Sequence, residues 1–238
     1  MAVFVLVHGG GHGGWCYRFV AERLRAEGHE VHAPSLTGLG EREHLVSADV
    51  DLDTHITDIV KLLQFEDLSG VILVGHSYGG MVITGIADRV PDRIGHLVFL
   101  DAATPVNGES LAERAAPMIL PARAMGRVVD GVELLLFPSD ETMALYGVSD
   151  PALAEWMRPK LTPHPWKCFE QTLVLANEDA LWAIPQSHII CTATAGGRDV
   201  AALKAAHGGR VWEIDTGHDL MITEPEWVSA RLLEIAAL

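Results

Sequence analysis

Residues 71–81 read VILVGHSYGGM, and this stretch decides the fold. The apolar run 71–74 predicts a strand that is buried on both faces of a parallel sheet. A Gly-x-Ser-x-Gly pattern follows at once, and small and apolar residues typical of a helix come after it. The glycines permit a sharp turn that lifts the Ser77 hydroxyl above the sheet. We therefore predict that Ser77 is a nucleophile and that the Tyr78 N–H, at the helix N-terminus, binds an oxyanion.

Similar short apolar runs alternate with helical patterns along the chain. Strands are predicted at residues 3–7, 30–32, 71–74, 97–100, 188–191 and 211–214, and helices at residues 16–27, 52–63 and 81–90. This alternation predicts an α/β fold with a mostly parallel sheet flanked by helices.

One segment departs from this alternation. Residues 106–185 contain no strand-like run and are interrupted by several prolines, so we predict a helical cap inserted into a core of residues 1–105 and 186–238. An insertion between parallel strands lies at a sheet end, where such folds bind ligands. We expect about a third of the cap's large apolar side chains to line a pocket. These side chains are Met118, Leu120, Met125, Leu134, Leu135, Phe137, Trp156 and Trp166.

A glycine-rich loop, residues 8–15 with the sequence HGGGHGGW, follows the first strand. Its backbone amides can approach a ligand closely, and we predict the Gly10 N–H as the second oxyanion donor. A dinucleotide-binding loop is disfavoured by Trp15 and by the serine turn. His8 and His12 have the spacing of metal ligands on a helix, but they lie in a loop. We therefore expect no metal here and interpret His8 as a structural residue that holds the loop.

The last strand leads into residues 215–219, which read DTGHD. A histidine at the carboxyl end of this strand lies at the same sheet edge as Ser77. We predict that His218 takes the serine proton and then returns a proton to the leaving group.

These motifs together resemble the α/β-hydrolase family of plant hydroxynitrile lyases, plant methylesterases and bacterial hydrolases of pyrethroids and carbamates. The resemblance covers essentially the whole chain, through residues 8–15, 38–42, 75–80, 161–165 and 216–218. It implies a serine hydrolase that cleaves small, fairly apolar carboxylic esters, or carbamate and lactone relatives, through an acyl-enzyme. The alternatives are a carbon–carbon lyase and a catalytically weak ligand-binding member. The lyases of the family carry a threonine where this chain has Gly9 and a lysine where it has Asp219, which favours the esterase.

The third member of the triad departs from the family pattern. The resemblance places an aspartate at position 194, but the chain has Thr194 there. Two other aspartates, Asp199 and Asp101, are the candidates for the triad acid. Asp199 precedes a helical run and is interpreted as a helix N-cap. Asp101 follows the strand of residues 97–100. The resemblance extends to related subfamilies that carry their triad acid at the end of this strand, so we favour Asp101.

The chain carries a formal net charge of −15, which disfavours nucleic acid and anionic membrane surfaces as partners. Cys16, Cys168 and Cys191 are widely spaced and predict neither a disulfide framework nor a zinc site. The first residues lack the pattern of a secretory signal, so a cytoplasmic location is expected. We expect no cofactor and a small-molecule ester as the binding partner, and we leave open whether the chain forms a homodimer.

Overall fold

The computed structural model describes residues 1–194, 198–207 and 210–238. Six strands form a parallel sheet in the order β2-β1-β3-β4-β8-β9. Their bounds are β1 Val3–Val7, β2 Glu30–His32, β3 Val71–His76, β4 Ile94–Leu100, β8 Gln186–Cys191 and β9 Val211–Ile214. The predicted α/β fold is therefore confirmed. Strands β3, β4 and β8 are two or three residues longer than their apolar runs.

Alternate residues of the central strands enter two separate cores, one on each face of the sheet. Val5 and Leu73 belong to the core beneath α2 (Leu52–Phe65) and α3 (Gly79–Arg89). Leu6 and Val74 belong to the core beneath α1 (Arg18–Ala26) and α12 (Pro225–Ala236). Successive side chains of a strand point to opposite faces, so continuous apolar runs are what a sheet covered on both sides requires.

The inserted segment carries most of the remaining helices. They are α4 Leu111–Arg114, α5 Ala116–Ala124, α6 Asp140–Tyr146, α7 Pro151–Met157, α8 Lys167–Glu170 and α9 Glu178–Ala183. Two further helices, α10 Val200–His207 and α11 Leu220–Thr223, belong to the core. None of the helices in the described ranges combines the length and the apolar composition needed to cross a bilayer.

The cap is not purely helical, which corrects our expectation for residues 106–185. Strands β5 (Arg127–Val129), β6 (Val132–Leu135) and β7 (His164–Pro165) form a small antiparallel sheet within it. The sequence contains a signal for the hairpin of β5 and β6, although our prediction did not include these strands. Asp130 and Gly131 form the two-residue turn between them with φ values of 49° and 82°, and Asp-Gly is a preferred pair for such hairpins.

The strand order gathers five loops at one edge of the sheet. The loops after β1, β3, β4, β8 and β9 all leave the carboxyl ends of neighbouring parallel strands. The chain runs outward from β1 to β2 and then returns to β3, so the topology switches direction between β1 and β3. Ligands of open α/β sheets bind at such a point.

The packing of α3 against the loop after β4 generates a stability prediction. A Cβ on Gly80 would lie 1.9 Å from the carbonyl oxygen of Ala103, whereas one on Gly85, in the same helix, would mainly meet the side chain of Ile56. The backbone of Ala103 cannot move aside to relieve this contact, whereas the end of the Ile56 side chain can rotate away. We expect Gly80→Ala to lower the free energy of unfolding by about 3 kcal/mol or more and Gly85→Ala by about 1 kcal/mol. Urea unfolding measures the free energy of unfolding of each variant. Equal losses of stability would contradict the close packing of Gly80 against the Ala103 backbone.

Candidate active site

Ser77 lies on a strained turn between β3 and α3, with a φ of 54°. The flanking glycines are needed because the backbone is crowded. A Cβ on Gly75 would lie 2.6 Å from the carbonyl oxygen of Gly79, and one on Gly79 would lie 2.7 Å from that of Val7. The sequence therefore folds locally so that a non-glycine residue occupies the left-handed region and its side chain stands clear of the sheet.

His218 and Asp101 meet at the same edge. Nδ1 of His218 lies 2.5 Å from Oδ2 of Asp101, and both residues are buried. Asp101 follows β4 directly and has a φ of 45°, so a sharp backbone turn directs its carboxylate toward the loop after β9. Within the described part of the chain, neither the Ser77 hydroxyl nor Nε2 of His218 has a hydrogen-bond partner. Such contacts commonly tighten only when substrate binds.

Three further donors hold the Asp101 carboxylate. Oδ2 accepts a 2.6 Å hydrogen bond from the Thr194 hydroxyl, Oδ1 accepts one of 3.3 Å from the Cys191 amide, and the Arg198 guanidinium also bonds Oδ1. Burial by itself would raise the pKa of this carboxyl. The bond and charge of His218, the charge of Arg198 and the Thr194 hydroxyl together hold the pKa well below its usual range. Asp101 is therefore ionised at neutral pH.

Asp199, the other candidate acid, is used differently. Its Oδ1 accepts a 2.9 Å hydrogen bond from the Ala202 amide, at the start of α10. This is the N-cap arrangement that the sequence indicated.

The Gly10 and Tyr78 amides, the predicted oxyanion donors, belong to buried residues that are not among those lining the cavity with Ser77. Neither donates to any acceptor among residues 1–194, 198–207 and 210–238. The peptide that carries the Gly10 N–H is fixed from its other side, since Nδ1–H of His8 donates to the Gly9 carbonyl at 2.9 Å. Nε2 of His8 accepts from the Leu36 amide at 3.0 Å. Burial lowers the pKa of His8 to about 3, so this ring is neutral and supports the loop.

Hydrogen bonds engage ring nitrogens in two groups of buried histidines within the described part of the chain. His12 uses its two ring nitrogens on the Gly10 carbonyl and on Asp219, at 2.8 Å each. A second group, His55, His164 and Cys168, brings its ligand-type atoms within 4.8 Å of one another. Both nitrogens of His55 are engaged there, by the Tyr78 hydroxyl and the Thr37 carbonyl at 2.9 Å each.

Ser77, Asp101 and His218 share a cavity of about 810 Å³. Its walls are mainly apolar and include Phe99, Leu111, Met118, Ile190 and Leu203. Of the eight cap side chains that we considered, Met118 alone is among the residues lining this cavity. The pocket is instead bounded by α4 and the start of α5 on the cap side and by α10 on the core side.

The two positions that separate lyases from esterases can now be placed. A Cβ on Gly9 would lie 2.9 Å from Cβ of Ser77 and 2.8 Å from Nδ1 of His76, so a threonine there requires these neighbours or the loop to shift. Asp219 is fully buried and is paired with His12, and it does not line the cavity. Neither position supplies the hydroxyl or the cation that the lyase reaction uses.

Two residues near the candidate triad were not anticipated. Arg198 is paired with Asp101, and the hydroxyl of Tyr146, from the cap, donates to the Gly10 carbonyl at 3.0 Å. The position of Arg198, shortly after β8 and beside the edge where β4 ends, could have indicated the first contact. Nothing in the sequence around Tyr146 indicates the second.

Comparisons with known proteins agree with this geometry. Residues 4–231 match the model of the alpha/beta hydrolase family. The chain belongs to the α/β-hydrolase family. It is similar to the carbendazim hydrolyzing esterase of Nocardioides sp. (strain SG-4G), with 37% identity over 98% of both chains. It is also similar to methylesterase 2 of Arabidopsis thaliana, with 28% identity over 98% of this chain and 95% of the relative.

Among solved structures, an extracellular alpha/beta-hydrolase from a Paenibacillus species superposes with a TM-score of 0.81 and 25% identity, over 98% of both chains. That protein is described as sharing structural and functional homology with tobacco salicylic acid binding protein 2. The relatives are ester-cleaving enzymes in name, so this α/β-hydrolase is an esterase-type hydrolase. This confirms the class of enzyme predicted from the sequence.

Proposed function

We propose that this α/β-hydrolase cleaves small, fairly apolar carboxylic esters, or carbamate and lactone relatives, through an acyl-enzyme on Ser77. His218 is the general base, Asp101 completes the triad, and the Gly10 and Tyr78 amides bind the oxyanion. The observation that carries the proposal is the 2.5 Å contact between Asp101 Oδ2 and His218 Nδ1, in the cavity that also contains Ser77.

The reaction follows from these groups. As Oγ of Ser77 attacks the carbonyl carbon of the ester, its proton passes to Nε2 of His218. The carbonyl oxygen becomes an oxyanion, which the Gly10 and Tyr78 amides are proposed to stabilise. Collapse of this intermediate breaks the bond to the alcohol oxygen, which takes the proton from Nε2. Water then attacks the acyl-enzyme by the same route and releases the acid, and Ser77 regains its proton.

The position of Asp101 suits this role for electrostatic reasons. A buried carboxylate on Nδ1 fixes the tautomer in which Nε2 is free to accept the serine proton, and it stabilises the imidazolium that forms. The low pKa of Asp101 keeps this charge present at neutral pH. Thr194, at the family's usual acid position, supports the carboxylate instead of replacing it.

The cavity and the relatives together favour the substrate class. Apolar walls favour an apolar acyl or alcohol group, and the volume suits a small molecule. A carbendazim hydrolyzing esterase and a methylesterase among the relatives favour an ester with a small alcohol part.

A cytoplasmic location is part of the proposal. Cys16, Cys168 and Cys191 are unpaired and buried, which is typical of a protein in a reducing compartment.

The first prediction concerns the nucleophile. We expect a fluorophosphonate probe to label Ser77 in the folded protein, because its hydroxyl stands on an accessible turn beside His218. Wild type should hydrolyse p-nitrophenyl acetate, butyrate and octanoate, and Ser77→Ala should lower turnover by about four to six orders of magnitude. Peptide mapping of the labelled protein and steady-state rates are the measurements. Labelling of a different serine, or hydrolysis that survives Ser77→Ala, would exclude the mechanism.

The second prediction separates the esterase from the lyase. Gly9 leaves no space for a hydroxyl-bearing side chain, and Asp219 is buried with its charge paired. We therefore expect ester turnover to exceed cleavage of mandelonitrile, measured as benzaldehyde release on the same preparation. Faster, Ser77-dependent release of benzaldehyde would favour the lyase.

The third prediction concerns the acid. Asp101→Asn should lower turnover by about three to four orders of magnitude with the fold retained. Asp199→Asn is the matched control, and it should cost about 1 kcal/mol or less of stability and lower turnover far less than Asp101→Asn. In Asp101→Asn/Thr194→Asp a carboxylate returns to the family's usual position, so about tenfold or more of the lost turnover should recover. A fully active Asp101→Asn enzyme would refute the assignment.

A further inference from the structure

A second buried ionic pair lies directly behind the candidate active site. Nε2 of His12 is 2.8 Å from Oδ2 of Asp219, and both side chains are completely buried. Nδ1 of His12 is bonded to the Gly10 carbonyl, which can only accept, so Nδ1 carries a proton. Burial acts to lower the pKa of His12, but the Asp219 carboxylate outweighs burial, and the net shift of this pKa is upward. Burial acts to raise the pKa of Asp219, but His12 outweighs it, and the net shift is downward. Both pKa shifts favour the charged pair, in which Nδ1–H of His12 donates to the Gly10 carbonyl and Nε2–H donates to Asp219.

The pair is part of a closed ring of contacts. The Tyr146 hydroxyl donates to the Gly10 carbonyl at 3.0 Å, so this oxygen accepts from both Tyr146 and His12. The Asp219 amide donates to the Tyr146 carbonyl, also at 3.0 Å. The rings of His12 and Tyr146 pack edge to face with centroids 4.6 Å apart. Three segments that are far apart in sequence thus meet in one buried network.

This network holds both halves of the catalytic machinery. On one side, the Gly10 carbonyl is fixed by His12 and Tyr146, and the preceding carbonyl is fixed by His8, so the peptide planes on both sides of Gly10 are constrained. On the other side, Asp219 follows His218 in the chain. Nε2–H of His76 donates to the His218 carbonyl at 3.0 Å and fixes the same segment from beneath.

We propose that the His12–Asp219 pair is a positioning device that sets the Gly10 amide relative to His218 for the ester hydrolysis proposed above. A buried ion pair is poor as a source of stability, since well-packed apolar residues in its place are often neutral or stabilising. Its directional hydrogen bonds, however, fix orientation in a way that apolar packing cannot. A displacement of about 1 Å at a reacting centre can cost about a hundredfold in rate. His12 and Asp219 are not among the residues lining the cavity, so in this proposal they act through Gly10 and His218.

The test separates positioning from stability by replacing both partners with apolar residues. Asp219→Leu leaves His12 without its counter-charge, and His12→Phe leaves a buried carboxylate unpaired, so both single variants should lose stability. The double variant His12→Phe/Asp219→Leu removes both charges and should recover most of that loss. We expect kcat of the double variant to stay about a hundredfold below wild type, with KM changed by about threefold or less, because the orienting bonds are gone.

Asp219→Asn is the conservative variant. Its amide can donate to Nε2 of a neutral His12, which keeps Nδ1–H on the Gly10 carbonyl, so kcat should fall by only about tenfold. Binding of a trifluoromethyl ketone that forms a tetrahedral adduct with Ser77 should weaken in proportion to kcat/KM across the variants. Asp88→Asn is the control for a buried aspartate distant from the cavity, where Asp88 accepts from the Ala176 and Asn177 amides. It should lose stability while kcat is retained.

The outcomes distinguish this inference from the proposed function. If the double variant regains wild-type kcat together with its stability, the pair is merely structural and the inference is wrong, while Ser77-dependent hydrolysis stands. If adduct affinity is unchanged when kcat falls, the pair does not position the oxyanion donors, and the inference is again overturned. Wild-type turnover that persists in Ser77→Ala would instead remove the proposed function and the inference with it.

Discussion

The site depends on one buried carboxylate. Asp101 turns off the end of β4 with a positive φ and collects the His218 ring, the Thr194 hydroxyl, the Cys191 amide and the Arg198 guanidinium. An isolated charge could not remain ionised at this depth, because burial raises the pKa of a carboxyl. The donors make the charged form the stable one. They also join the ends of β4, β8 and β9, so the same contacts that ionise the acid assemble the site.

The contact between Asp101 and His218 follows from the strand order. Strands β4 and β8 are neighbours in the sheet, and both end at the edge where His218 arrives from β9. A carboxylate at the end of either strand can therefore reach Nδ1 of the histidine. Thr194 lies at the position where the resemblance implied the acid, and its hydroxyl bonds the Asp101 carboxylate. The Arg198 guanidinium pairs with the Asp101 carboxylate and so favours its ionised form. It also competes with His218 for the negative charge of that carboxylate.

The sequence was sufficient for whatever depends on local pattern. Buried parallel strands appear as continuous apolar runs, and the serine turn requires glycines at fixed spacing, so the sheet and the position of Ser77 were predictable. The placement of Asp101 was predictable because it follows from which strand end it occupies. The β5–β6 hairpin was missed although Asp130-Gly131 indicated it, because its strands are too short for an apolar run to be evident. The contacts of His12, Asp219 and Tyr146 could not be predicted, since they join segments far apart in sequence through side-chain geometry alone.

These long-range contacts also limit how the cap can act. The Gly11 amide donates to Nδ1 of His164 at 3.2 Å, the Gly11 carbonyl accepts from the Thr162 amide at 2.9 Å, and Tyr146 bonds the preceding carbonyl. Three cap residues thus hold the loop that carries the Gly10 amide. A rigid opening of this half of the cap would break those bonds to the glycine-rich loop. The half that contains α4 and α5 makes no such bonds to the loop among the described residues, and it lines the cavity opposite α10. The two halves of the cap therefore relate to the site differently: one is bonded to the glycine-rich loop, and the other lines the cavity.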